Sequence, residues 1–93
     1  MTVKYEACMI FSVANGDEAV TELKEKFATL IAENATVENV DEWGKRKLAY
    51  LIDDEAEGFY VFYTFAAAAE FPAELERVAG ITEGVLRIMT TKK

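Results

Sequence analysis

The sequence predicts an α+β fold, a split βαβ sandwich of order βαββαβ, in which a four-stranded antiparallel sheet carries two helices on one face. Three observations predict it. Hydrophobic spacing passes from strand-like alternation to helical spacing and back, twice along the chain. Each helical segment has a single apolar stripe, and one sheet face is the economical cover for both. The only proline, Pro72, falls where a second helix would begin. A length of 93 residues suits one domain, 1–93.

The elements follow in order. Lys4 to Phe11 alternates, with Tyr5, Ala7, Met9 and Phe11 on one face and Glu6, Cys8 and Ile10 on the other. Alternating side chains point to opposite faces of a strand, and the partly apolar second face suits a central strand. Asn15-Gly16-Asp17 breaks the strand and offers a cap. Asp17 and Glu18 suit a first helical turn, where the dipole favours anions. Val20, Leu23, Phe27, Leu30 and Ile31 form one stripe of a helix ending near Asn34, and Glu22 and Lys26 form an i,i+4 pair on its wet side.

Val37 to Ile52 is a long strand whose apolar positions change parity, so it requires a register change, and Gly44 is the natural bulge. Asp53 to Gly58 reads as a turn. Phe59 to Phe65, aromatic and β-branched throughout, is the strongest strand signal and closes a hairpin. Ala66 to Val78 reads as helical, but Pro72 confines the start to between Ala68 and Phe71. Gly80 ends that helix, and Val85 to Thr91 is the last strand. Strands one and three take the centre of the sheet, two and four its edges.

Composition excludes much chemistry. There is no His, one Cys and one Ser. Imidazole catalysis, His-ligated zinc, Ser–His triads and intrachain disulfides are therefore excluded. No glycine arrangement suits a phosphate loop, and no two acids sit in an apolar context that would raise a carboxyl pKa. The expectation is a non-enzyme without cofactor, metal or small-molecule substrate. The longest apolar run is too short for a membrane span. The first strand does not read as a signal peptide, so cytosol is the expected compartment. Cys8 between Ala7 and Met9 reads as an inert small hydrophobe.

Net charge is −7, yet six of the ten bases lie in two windows that contain no acid: Lys45-Arg46-Lys47, and Arg87 with Lys92 and Lys93. Phosphate contacts need cations away from carboxylates, and bases on edge strands also deter sheet-to-sheet aggregation. The residues leave both readings open. Tyr60 and Phe62 are expected on the helix-free face, where they would stack RNA bases, cover bare sheet or fill a protein interface. Trp43 beside Gly44 suits a partner contact or an inward anchor of the strand bend.

Four segments carry a resemblance: Lys4-Tyr5-Glu6, Glu42-Trp43-Gly44-Lys45-Arg46-Lys47-Leu48-Ala49-Tyr50, Gly58-Phe59-Tyr60-Val61, and Ile81-Thr82-Glu83-Gly84-Val85-Leu86-Arg87. In order and spacing they resemble the family of the sixth protein of the bacterial small ribosomal subunit, across nearly the whole chain. The resemblance implies a ferredoxin-like fold, no catalysis and a place on the cytoplasmic ribosome. It also implies binding to the central domain of small-subunit ribosomal RNA as a heterodimer with the eighteenth small-subunit protein, whose charge would offset this chain's acidity. Lys45, Arg46, Lys47 and Arg87 match basic positions of that family. With Lys92 and Lys93 they form the expected RNA-binding set, and Trp43, Tyr60 and Phe62 the expected protein interface. The chain departs from the family at Leu86, where many relatives carry a second base. The alternative is a ferredoxin-like protein-interaction or ligand-sensing module without RNA binding.

Overall fold

The computed structural model describes residues 2–52 and 54–93. Its elements are β1 (Val3–Ser12), α1 (Asp17–Asn34), β2 (Thr36–Ile52), β3 (Glu55–Ala67), α2 (Phe71–Gly80) and β4 (Val85–Lys92). The sheet order is β2-β3-β1-β4, and every pairing is antiparallel. β1 and β3 therefore occupy the centre, as the element order predicts.

The core lies between the sheet and the helices. From β1 come Ala7, Met9 and Phe11; from β3 come Val61, Tyr63, Phe65 and Ala67. The helices add Val20, Phe27, Ile31, Phe71, Leu75 and Ala79. Paired residues of adjacent antiparallel strands point the same way, so the register Tyr5↔Phe65 through Phe11↔Phe59 aligns the apolar faces of the two central strands. Phe11 stacks on Phe27 at 6.1 Å between centroids, and Phe71 meets Phe65 edge-on at 5.7 Å.

Four local features differ from expectation. No side chain caps α1: its N-cap is Gly16, with φ of 88°, a left-handed conformation that favours glycine over Asn15 or Asp17. Glu22 and Lys26 do not pair. Lys26 Nζ instead approaches Thr82 Oγ1 at 3.4 Å and lies over the Phe27 ring. β3 begins at Glu55 rather than Phe59, because Glu57 and Gly58 pair with Lys47 and Arg46. Of the expected turn, Asp53 lies outside the described residues and Asp54 is left-handed, with φ of 64°. Ala66 and Ala67 belong to β3, held by Lys4 and Val3, and α2 starts at Phe71 with Pro72 in its first turn.

β2 shifts register between Val37 and Asn39, between Glu42 and Gly44, and between Lys47 and Ile52. The second shift is the bulge expected at Gly44, whose φ is 83°. Before it, Glu42 faces the helices and ion-pairs with Lys24 of α1 at 2.6 Å. Beyond it the parity flips, and Gly44 and Arg46 lie opposite Tyr60 and Gly58 on the helix-free face.

Gly58 is buried. Ile10 Cγ2 fills the space a Cβ there would need, and Leu48 Cδ2 stands 3.5 Å from the same point. Gly58→Ala should lower stability by about 1–3 kcal/mol through overpacking, read as a denaturant midpoint. In an Ile10→Ala background, which is itself destabilised, the same substitution should cost less. A neutral Gly58→Ala would show that Ile10 moves aside freely.

Tyr63 is buried, and its hydroxyl donates to the Lys24 carbonyl at 3.2 Å. Burial pushes its ionisation well above the ordinary tyrosine range, and the Glu42 carboxylate adds to this. The unfolded chain would ionise the same phenol near pH ~10. Its contribution to stability is thus complete below about pH 10 and falls above it, where the unfolded state loses the proton first. Tyr63→Phe should flatten that alkaline fall in urea midpoints measured from about pH 9 to 12. An equally steep fall in the variant would assign it to another group.

Candidate nucleic-acid interface

With both helices on one side, the other sheet face is open. β1 places Cys8 and Ile10 there, β3 places Tyr60 and Phe62, and β4 places Arg87 and Met89, through the pairs Ile10↔Tyr60, Cys8↔Phe62, Ile10↔Arg87 and Cys8↔Met89. Trp43 joins them from the β2 bulge. Its ring lies 4.6 Å from Phe62, centroid to centroid, and its indole N–H donates to Asp41 Oδ2 at 3.0 Å. The indole remains 49% exposed, so Trp43 is not an inward anchor. Trp43, Tyr60 and Phe62 thus share the helix-free face.

The basic residues separate into two groups. Lys45, Arg46 and Lys47 are exposed along β2 past the bulge. Arg46 shares the open face with the aromatics, whereas Lys45, opposite Phe59, points to the helix side. Arg87 lies near the start of β4, beside the end of β1 that the β2–β3 hairpin flanks. Lys92 and Lys93 lie at the far end of β4. Lys93 sits 3.7 Å from Glu6, and neighbouring Lys4 sits 3.5 Å from Glu38. The acid-free window at the C-terminus is therefore not acid-free in space. Among the described residues, no ion pair involves Lys45, Arg46, Lys47 or Arg87.

The hairpin supplies a contact that the sequence did not suggest. Between the pairs Lys47↔Glu57 and Ile52↔Glu55, the segment 48–51 faces only Ala56, so β2 bows outward. Leu48 turns in and is buried, while Tyr50 and Leu51 are each 60% exposed. The Tyr50 hydroxyl accepts a hydrogen bond from Arg87 Nη1. Tyr50 belongs to one edge of the sheet and Arg87 to the other, so the hairpin reaches across the open face.

Cys8 is half-buried on this face. Burial raises its thiol pKa, Glu6 adds to the effect and Arg87 opposes it. A thiol held protonated is a poor nucleophile, in keeping with an inert packing role. No group of three or more potential ligands could hold a metal ion among the described residues.

The fold and site define a protein of the split βαβ class whose open sheet face bears aromatics and is flanked by exposed cations. The family described as Ribosomal protein S6 matches residues 4–92. The chain is 47% identical over 91 residues to small ribosomal subunit protein bS6 of Clostridium perfringens, covering 97% of this chain and 96% of that one. It is 46% identical over 86 residues to bS6 of Alkaliphilus metalliredigens, covering 92% of each. The crystal structure of 30S ribosomal protein S6 from Thermotoga maritima superposes with a TM-score of 0.93 at 26% identity, covering 100% of this chain and 89% of that one. The chain belongs to the ribosomal protein S6 family: it is a structural component of the small ribosomal subunit, located on the cytoplasmic ribosome, and not an enzyme.

Proposed function

We propose that this chain, acting as one domain over residues 1–93, binds the central domain of small-subunit ribosomal RNA as a heterodimer with the eighteenth small-subunit protein. The observation that carries this reading is the exposed Lys45-Arg46-Lys47 run beside the open face. It stands clear of the carboxylate pairings that engage Lys4, Lys24, Arg77 and Lys93 among the described residues. Arg87 adds a cation at the same end of the sheet. Lys92 and Lys93 make a weaker second contact, because Glu6 already draws on Lys93. Trp43, Tyr60 and Phe62 meet the protein partner, since large aromatics on an open face, here an exposed Trp43 beside half-buried Tyr60 and Phe62, are favoured anchors of protein interfaces.

A net charge of −7 opposes binding to a polyanion, and a basic partner is the simplest remedy. The chain alone should bind a central-domain RNA fragment weakly. With the eighteenth protein it should bind tightly, with affinity falling steeply as salt rises. Equal affinity with and without that protein, or recovery of a metabolite or a non-ribosomal protein instead of RNA from a nuclease-free lysate, would reject the heterodimer reading.

A further inference from the structure

We propose that Tyr50 is a positioning residue for Arg87: its hydroxyl holds the guanidinium over the open face, ready to meet an RNA phosphate. The inference rests on the RNA reading above. It starts from the interrupted β2–β3 ladder, where segment 48–51 has only Ala56 opposite. The surplus length would leave a floppy loop if nothing fastened it. Two contacts do. Leu48 turns into the space above Gly58, against the region Ile10 occupies, and Tyr50 accepts the hydrogen bond from Arg87.

The chemistry of the pair suits an anion. A guanidinium has five N–H donors and no acceptor, so donating one bond to a phenol oxygen leaves the others available. The phenol O–H also remains free to donate outward, and accepting from a cation strengthens it as a donor. A phosphate over the pair would accept from both residues. Tyr50 carries no charge, so its part is to hold a long, exposed side chain in one orientation before the RNA arrives. Ordering such a side chain otherwise opposes binding.

The test uses the full-length chain, paired with the eighteenth protein, and a central-domain RNA fragment across a salt series. Four forms are compared: wild type, Arg87→Gln, Tyr50→Phe and the double variant. Arg87→Gln should reduce the slope of log K against log[salt] by about 0.7–0.9. Tyr50→Phe removes no charge, so it should keep the wild-type slope while weakening binding by about 2- to 10-fold. In the Arg87→Gln background, Tyr50→Phe should cost nothing further. In the free chain, Tyr50→Phe should speed amide hydrogen exchange within 48–52 and leave the core unchanged.

If Arg87→Gln alters the slope but Tyr50→Phe binds like wild type, the inference falls and the RNA reading stands. The inference falls likewise if Tyr50→Phe costs as much without Arg87 as with it. An unchanged slope in Arg87→Gln removes that residue from phosphate contact and overturns the inference alone, whereas a wild-type chain that fails to bind the RNA fragment beside the eighteenth protein overturns both. A loss confined to pairing with the eighteenth protein would mean that the clasp serves a protein surface, which also overturns the inference.

Discussion

Phe27→Ala should lower the unfolding free energy by about 3–5 kcal/mol, the cost typical of removing a buried phenyl ring. Phe27 has no exposed surface and stacks on Phe11 of a central strand, so few neighbours can close the gap. Domains of this size are stable by only about 5–15 kcal/mol. The variant should therefore unfold at a much lower urea concentration with an unchanged denaturant slope. A loss below about 1 kcal/mol would mean that the space between α1 and the sheet collapses readily, contrary to the packing described.

Reversing Lys45, Arg46 and Lys47 to Glu should flatten the salt dependence of RNA binding by roughly two to three units and weaken it by at least about 10³-fold near 0.1 M salt. The three side chains are exposed and outside any ion pair among the described residues. Stability should consequently change little, within about 0.5 kcal/mol per substitution. Binding to the eighteenth protein, measured without RNA, separates the two proposed roles of this end of the sheet. An unchanged RNA slope would take the run out of the phosphate interface.

What the sequence reveals depends on which faces are buried. β1, the Phe59–Phe65 part of β3 and both helices each bury one face, so their periodicity is plain, and the order of the sheet follows. Residues 55–58 are polar and flexible in composition, which resembles a turn. They are strand because the hairpin extends past the core, where no alternation is required. Ala66 and Ala67 favour helix by propensity, but pairing with Lys4 and Val3 decides the matter. The bulge at Gly44 is legible from the change of parity, and with it the placing of Trp43.

Charge relations are less legible because they depend on distant partners. Lys24 finds Glu42 across the layer, and Lys93 finds Glu6 on the adjacent strand. Lys45, Arg46 and Lys47 make no ion pair among the described residues, although Glu57 lies opposite Lys47 on β3, whereas Lys93 pairs with Glu6. Tyr50 looks like one more apolar strand residue. Its contact with Arg87 arises from strand slack and the curl of the hairpin, which no local pattern encodes.

The pairing of β1 with β4 has a consequence for how the chain is made. β1 is synthesised before β3 and long before its β4 neighbour, from Val85 to Lys92. During translation the nascent β1 must wait with one hydrogen-bonding edge bare until β4 has emerged. Such a bare edge is vulnerable to intermolecular association, and closing it brings together distant parts of the chain, which slows maturation. A shortened chain ending before Val85 should therefore accumulate as a chaperone-bound or aggregating species rather than as a stable three-stranded sheet.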